Sequence, residues 1–161
     1  MRKWWVILVV VGVSAAAPLA VLAATVSFGS VLNRERAFFT TNSVSTASPV
    51  FHTVPGLGAI RICAGNTSSP EIALTLSVNV DGPPVRFRVL EDGGPVLEPG
   101  AARFVPAAGG ESFSYTFVGR ASTFEGSDRH ALTVEWASPT GGKVTLSRGD
   151  ANVLFQQGSS C

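Results

Sequence analysis

Apolar residues fall on every second position through residues 71–90. Ile72, Leu74, Leu76, Val78 and Val80 alternate with Ala73, Thr75, Ser77 and Asn79. After Asp81-Gly82-Pro83-Pro84 the pattern resumes, with Val85, Phe87 and Val89 set against Arg86 and Arg88. A period of two places one set of side chains on each face of an extended strand, here apolar inward and polar outward. Burying each inward side chain contributes roughly 1.5–3 kcal/mol, so these two runs predict the nucleus of a sandwich core. The Asp-Gly-Pro-Pro break is turn chemistry, because Gly accepts positive φ and Pro fixes φ and offers no ladder donor.

The same reading predicts further strands at residues 50–54, 59–64, 102–105, 111–119, 129–138, 143–147 and 152–156. Breaks fall at Gly56-Leu57-Gly58, Asp92-Gly93-Gly94-Pro95, Gly109-Gly110 and Pro139-Thr140-Gly141-Gly142. Phe113, Tyr115 and Phe117 share one phase, as do Leu132, Val134 and Trp136, which predicts core roles for Tyr115 and Trp136. Short strands at regular spacing with Gly and Pro punctuation predict an all-β fold, a single immunoglobulin-like or jelly-roll-type β-sandwich.

The first 23 residues read differently. Met1-Arg2-Lys3 is a positive start, residues 4–17 are apolar or small, and Val21-Leu22-Ala23 offers small side chains to a peptidase. That is the pattern of a secretory signal peptide, with cleavage after Ala23 or Ala24. The rival is a retained anchor, since residues 6–24 just reach spanning length; Pro18 and the Ala-rich end favour cleavage. The chain then divides into a signal peptide (1–23), an N-terminal strand with a polar tether (24–48) and a β-sandwich domain (49–161). In the second part, Val26 and Phe28 alternate with Thr25 and Ser27 ahead of Gly29-Ser30 and Val31-Leu32. Residues 33–39, with Asn33 as cap and Glu35 near the positive end, predict a helical turn. Residues 40–48, rich in Ser and Thr, predict a loop.

Charge excludes little but points one way. Cleavage takes Arg2 and Lys3 from the 12 basic residues and leaves ten against 11 acidic ones, a net charge near −1. The basic residues are scattered, with no phosphate-tracking stripe, so nucleic acid is not an expected partner. A nearly neutral Ser-, Thr- and Gly-rich surface favours association. In an exported chain Cys63 and Cys161 default to a disulfide; a free terminal thiol linking two chains is the alternative. Asn66-Thr67-Ser68 is a glycosylation sequon in a turn-rich loop, its use set by the host.

Candidate chemistry is sparse. His52 and His130 stand alone in the sequence, without a nucleophile elbow or a His-x-x-x-His spacing. Asp128 lies two residues from His130, but serines are too common for a triad drawn through them to mean anything. Asp81, Glu91, Asp92 and Asp128 are turn acids that no calcium-type loop concentrates. The expectation is no enzyme, no catalytic residues, no metal and no cofactor.

A cleaved leader, an apolar N-terminal strand at Thr25, Val26, Phe28 and Val31, a tether at residues 40–48 and one Ser/Gly-rich sandwich resemble the TasA/camelysin-like matrix filament proteins and the related archaeal bundling pilins. That resemblance implies a secreted, non-enzymatic subunit of an extracellular filament, pilus or biofilm matrix, assembled as a homopolymer by donor-strand complementation. It assigns the donor role to Thr25, Val26, Phe28 and Val31. The cysteine pair and the shortness of the apolar strand set this chain apart from the group. Membrane contact is then limited to the leader before cleavage. Two readings stand beside it: the N-terminal strand completes its own sandwich, or the chain is a monomeric, adhesin-like binding module using loops 92–100 or 124–129 for a sugar or protein.

Overall fold

The computed structural model describes residues 32–39, 43–63, 71–94, 96–120 and 129–156, with the backbone alone for 32–39, 120 and 156. Ten strands follow in chain order: β1 (Leu32–Phe39), β2 (Val44–Thr46), β3 (His52–Thr53), β4 (Ile60–Cys63), β5 (Glu71–Asp81), β6 (Val85–Glu91), β7 (Ala102–Phe104), β8 (Glu111–Arg120), β9 (Arg129–Ala137) and β10 (Val144–Gln156). They form two antiparallel sheets. The first runs β1-β10-β5-β8, with β2 also on β10; the second runs β3-β9-β6-β7, with β4 also on β9. The expected all-β sandwich is present.

The alternation read at residues 71–90 sets the interior. Ile72, Leu74, Leu76 and Val80 are fully buried, and so are Val85, Phe87 and Val89. Yet β5 and β6 do not pair. β5 lies between β10 and β8, and β6 between β9 and β7, so Asp81-Gly82-Pro83-Pro84 carries the chain from one sheet to the other. From β4 onward only the β6–β7 link stays within a sheet. Such crossing gives most strands sequence-distant partners, and the two inner faces interdigitate as in double-sheet jelly rolls. Trp136, Phe117 and Phe155 fill the space between them, each at 1% exposure or less.

Three expectations need correction. Residues 33–39 are not a helical turn: Leu32–Phe39 pairs antiparallel with Gly149–Gln156 along eight rungs. One turn of helix carries an unfavourable nucleation cost, whereas pairing with β10 gives the segment a ladder of hydrogen bonds along one edge. The loop read at residues 40–48 contributes β2, which pairs with Val144–Leu146 and buries Thr46. The sandwich therefore draws in residues assigned to the tether. The strands expected at 143–147 and 152–156 are one, β10, with a bulge between Leu146 and Arg148. One inserted residue flips the phase, so Val144 and Leu146 face inward before it and Ala151, Val153 and Phe155 after it.

Candidate functional site

Two features of the fold offer more than packing. The first is at the end of the second sheet where β6 stops and β9 begins. The inward phase of β6 runs Val85, Phe87, Val89, Glu91, and that of β9 runs His130, Leu132, Val134, Trp136; all are buried. An acid and an imidazole thus occupy positions of core type. Glu91 stands opposite Leu132, two residues beyond His130, and Ile62 of β4 stands opposite His130.

Nδ1 of His130 lies 2.9 Å from Glu91 Oε1 and 2.9 Å from Asp92 Oδ2. The side chains of His130 and Glu91 are 5% and 1% exposed, and that of Asp92 is 33% exposed. Two carboxylates therefore address one nitrogen, which carries at most one hydrogen. Asp92 is held independently of the histidine. Its N–H donates to Ala131 O at 2.9 Å, its Oδ1 accepts from the Ala131 N–H at 2.8 Å, and its φ is +49°. That left-handed conformation is one that Asp tolerates better than most residues. Beside the cluster is a cavity of about 400 Å³, to which Asp92, His130, Arg61, Cys63 and Arg129 contribute.

The second feature is the free side of β8. β8 pairs with β5 along its length. On its other edge, among the described residues, only Val118 is paired, through two hydrogen bonds with Glu98. Residues 111–117 thus have no partner on that edge among the described residues. Over it lies an aromatic lip joining the two sheets: Phe104 and Phe113 at 4.6 Å between ring centroids, Phe113 stacked on Phe87 at 5.7 Å, and Tyr115 edge-on to Phe117 at 5.2 Å. Tyr115 and Val105 are 37% and 57% exposed.

The residues singled out in the sequence scatter. Trp136 is core as expected, whereas Tyr115 sits at the lip because β8 is an edge strand. His52, on β3, lies 5.7 Å from the Trp136 ring, far along β9 from His130. Asp81 closes β5, away from Glu91 and Asp92. Cys63 closes β4, and no free cysteine occurs among the described residues. Cys161, Asn66, Asp128 and the donor residues Thr25, Val26, Phe28 and Val31 lie outside the described residues. The cluster of Glu91, Asp92 and His130 was missed as a unit; its signal was an acid and a histidine in otherwise apolar phases. The chain matches no protein-family model and no curated protein.

Proposed function

We propose that this chain is a secreted, non-enzymatic structural subunit that assembles at the cell surface into a filament, pilus or biofilm matrix, each copy donating its N-terminal strand to the β8 edge of the next. The observation that carries the reading is the edge of β8 at residues 111–117, which has no partner among the described residues and lies beneath an aromatic lip. An added strand gains main-chain hydrogen bonds from such an edge and specificity from alternate side chains in its groove. Val26 and Phe28, on alternate positions, supply side chains of that kind.

Topology favours a neighbour as acceptor. β1, which follows the donor segment, is at the opposite edge of the sheet from β8. Reaching past β8 means crossing four strand spacings, about 19 Å. Residues 25–31 extend to at most roughly 25 Å, so a segment that crossed within its own subunit would keep almost nothing to pair. Donation to the next copy is heterologous and does not close on itself, and it generates a fibre. In the same reading Cys63 and Cys161 form a disulfide within one chain and tie its end to β4.

Negative-stain microscopy and size exclusion of the exported chain test this. Polymers are expected from the intact chain and monomers from one lacking residues 24–31. Tyr115→Lys, with a charge at the exposed lip, should leave a folded monomer that no longer binds a peptide of residues 24–32. Polymers formed without residues 24–31 would overturn the reading. A second reading, a monomeric binding module, is favoured by the cavity at Arg61, Arg129 and His130, beside the loop that begins at Asp92. It gains if the intact chain is a stable monomer.

A further inference from the structure

We propose that Glu91, Asp92 and His130 form a binding site for one divalent transition cation of the Zn²⁺ type. Glu91 and His130 take inward positions on β6 and β9 that a leucine or valine would fill without desolvating a charge. A buried ion pair is on average no more stabilising than well-packed apolar residues of similar volume, so packing gives no reason for these side chains to be there.

Charge supplies the second step. Glu91 and Asp92 aim two carboxylates at one imidazole nitrogen, with Glu91 and His130 buried and Asp92 a third exposed. A divalent cation with a neutral imidazole brings the three groups to neutrality. It takes the position on Nδ1 that faces both carboxylates, and the neutral imidazole keeps its one hydrogen on Nε2. Glu91 Oε1, Asp92 Oδ2 and His130 Nδ1 already lie within 4.8 Å of one another. Tetrahedral zinc, with bonds near 2.0–2.2 Å, needs ligand atoms roughly 3.4 Å apart, so the two 2.9 Å contacts open by about 0.5 Å, within reach of side-chain torsions.

The ligand types choose the ion. One nitrogen and two carboxylates suit Zn²⁺, Co²⁺ or Mn²⁺, whereas Ca²⁺ asks for six to eight oxygens. Asp92 is preset, because its second oxygen is engaged by the Ala131 N–H. The adjoining cavity of about 400 Å³ leaves room for water to complete the coordination.

The test uses the purified chain stripped with a chelator, titrated with Zn²⁺ by calorimetry and with Co²⁺ by its visible absorption. One equivalent should bind, with a rise in Tm that the chelator reverses, while Ca²⁺ gives no such rise. Asp92→Asn keeps the acceptor for the Ala131 N–H, so this variant stays folded and should weaken Zn²⁺ at least about tenfold. Glu91→Gln should do the same, and His52→Gln should change nothing. Absence of stoichiometric uptake would overturn the proposal, leaving a hydrogen-bonded clamp between β6 and β9. Uptake that survives both Asp92→Asn and Glu91→Gln would overturn it equally.

Discussion

Asp92 Oδ2 reaches His130 Nδ1 across 38 residues of sequence, at 2.9 Å. The same aspartate exchanges two further hydrogen bonds with Ala131, one through its backbone N–H and one through Oδ1. This side chain continues the β6–β9 pairing past its last rung, Glu91 against Leu132.

A substitution series at Asp92 should separate the terms. Asp92→Asn retains an oxygen for Ala131 and tolerates the φ of +49°, so it should cost about 1 kcal/mol or less. Asp92→Gly loses the oxygen but relaxes the backbone. Asp92→Ala loses the oxygen and keeps the strained φ, so it should cost the most, about 2–3 kcal/mol. Urea unfolding of the three variants checks the order Asn, Gly, Ala; an alanine no worse than glycine would show that the backbone contributes nothing.

Gly82 holds the crossing between the sheets. Its φ is +118°, and a Cβ there would sit 2.5 Å from the carbonyl oxygen of Lys143. Both penalties fall on backbone, which no rotamer change relieves. Gly82→Ala should cost about 2–4 kcal/mol. Gly119 differs, since its added Cβ would meet Leu97 Cδ2. Trimming that side chain makes room, so Leu97→Ala with Gly119→Ala should cost less than the sum of the two singles, by about 1 kcal/mol. A double-mutant cycle in urea measures it, and strict additivity would refute the clash.

Alternation made β5, β6 and β9 legible, because each has one buried face, and β8 legible although only Phe117 of its apolar phase is buried. It did not give partners. A period of two fixes which side chains point inward and leaves open whether neighbouring strands pair or stack, so the crossing at Gly82 could not be read from residues 71–90. β1 was misread because its pairing with β10 is a tertiary fact with no local signature. β10 was split because the bulge before Arg148 shifts its phase by one. The cluster was half legible. Glu91 follows Val85, Phe87 and Val89 in phase, and His130 precedes Leu132, Val134 and Trp136; only the register of β6 on β9 makes them meet.

Arg88 and Glu135 are register partners on β6 and β9, and both Nε and Nη2 of the arginine contact Glu135 Oε2, at 2.7 and 2.6 Å. The guanidinium also lies 4.3 Å from the centroid of the Phe51 ring. Exposures of 32% and 14% take this pair beyond the weakest surface class. The coupling energy of Arg88 with Glu135 should be about 0.5–1.5 kcal/mol and should fall in high salt. Arg88→Lys should lose most of it, because an ammonium offers neither the planar fork nor the same stacking on Phe51. A lysine variant as stable as the parent would remove the guanidinium geometry from the argument.

The outer face of the first sheet supplies the opposite case. Thr75 pairs with Thr116 at 2.9 Å and Ser77 with Ser114 at 3.2 Å, hydroxyl to hydroxyl across β5 and β8. These bonds are exposed, and water replaces each of them at little net cost. Replacing Thr75 and Thr116 together by valine keeps the branched Cβ that suits a strand. Stability should move by no more than about 0.5 kcal/mol in either direction. Solubility should respond instead, because the change widens the apolar surface beside the free edge of β8. Urea unfolding and size exclusion read the two effects separately. A loss above about 1 kcal/mol would mean that the hydroxyl ladder holds the sheet together, and a monomer of unchanged solubility would mean that this face takes no part in association.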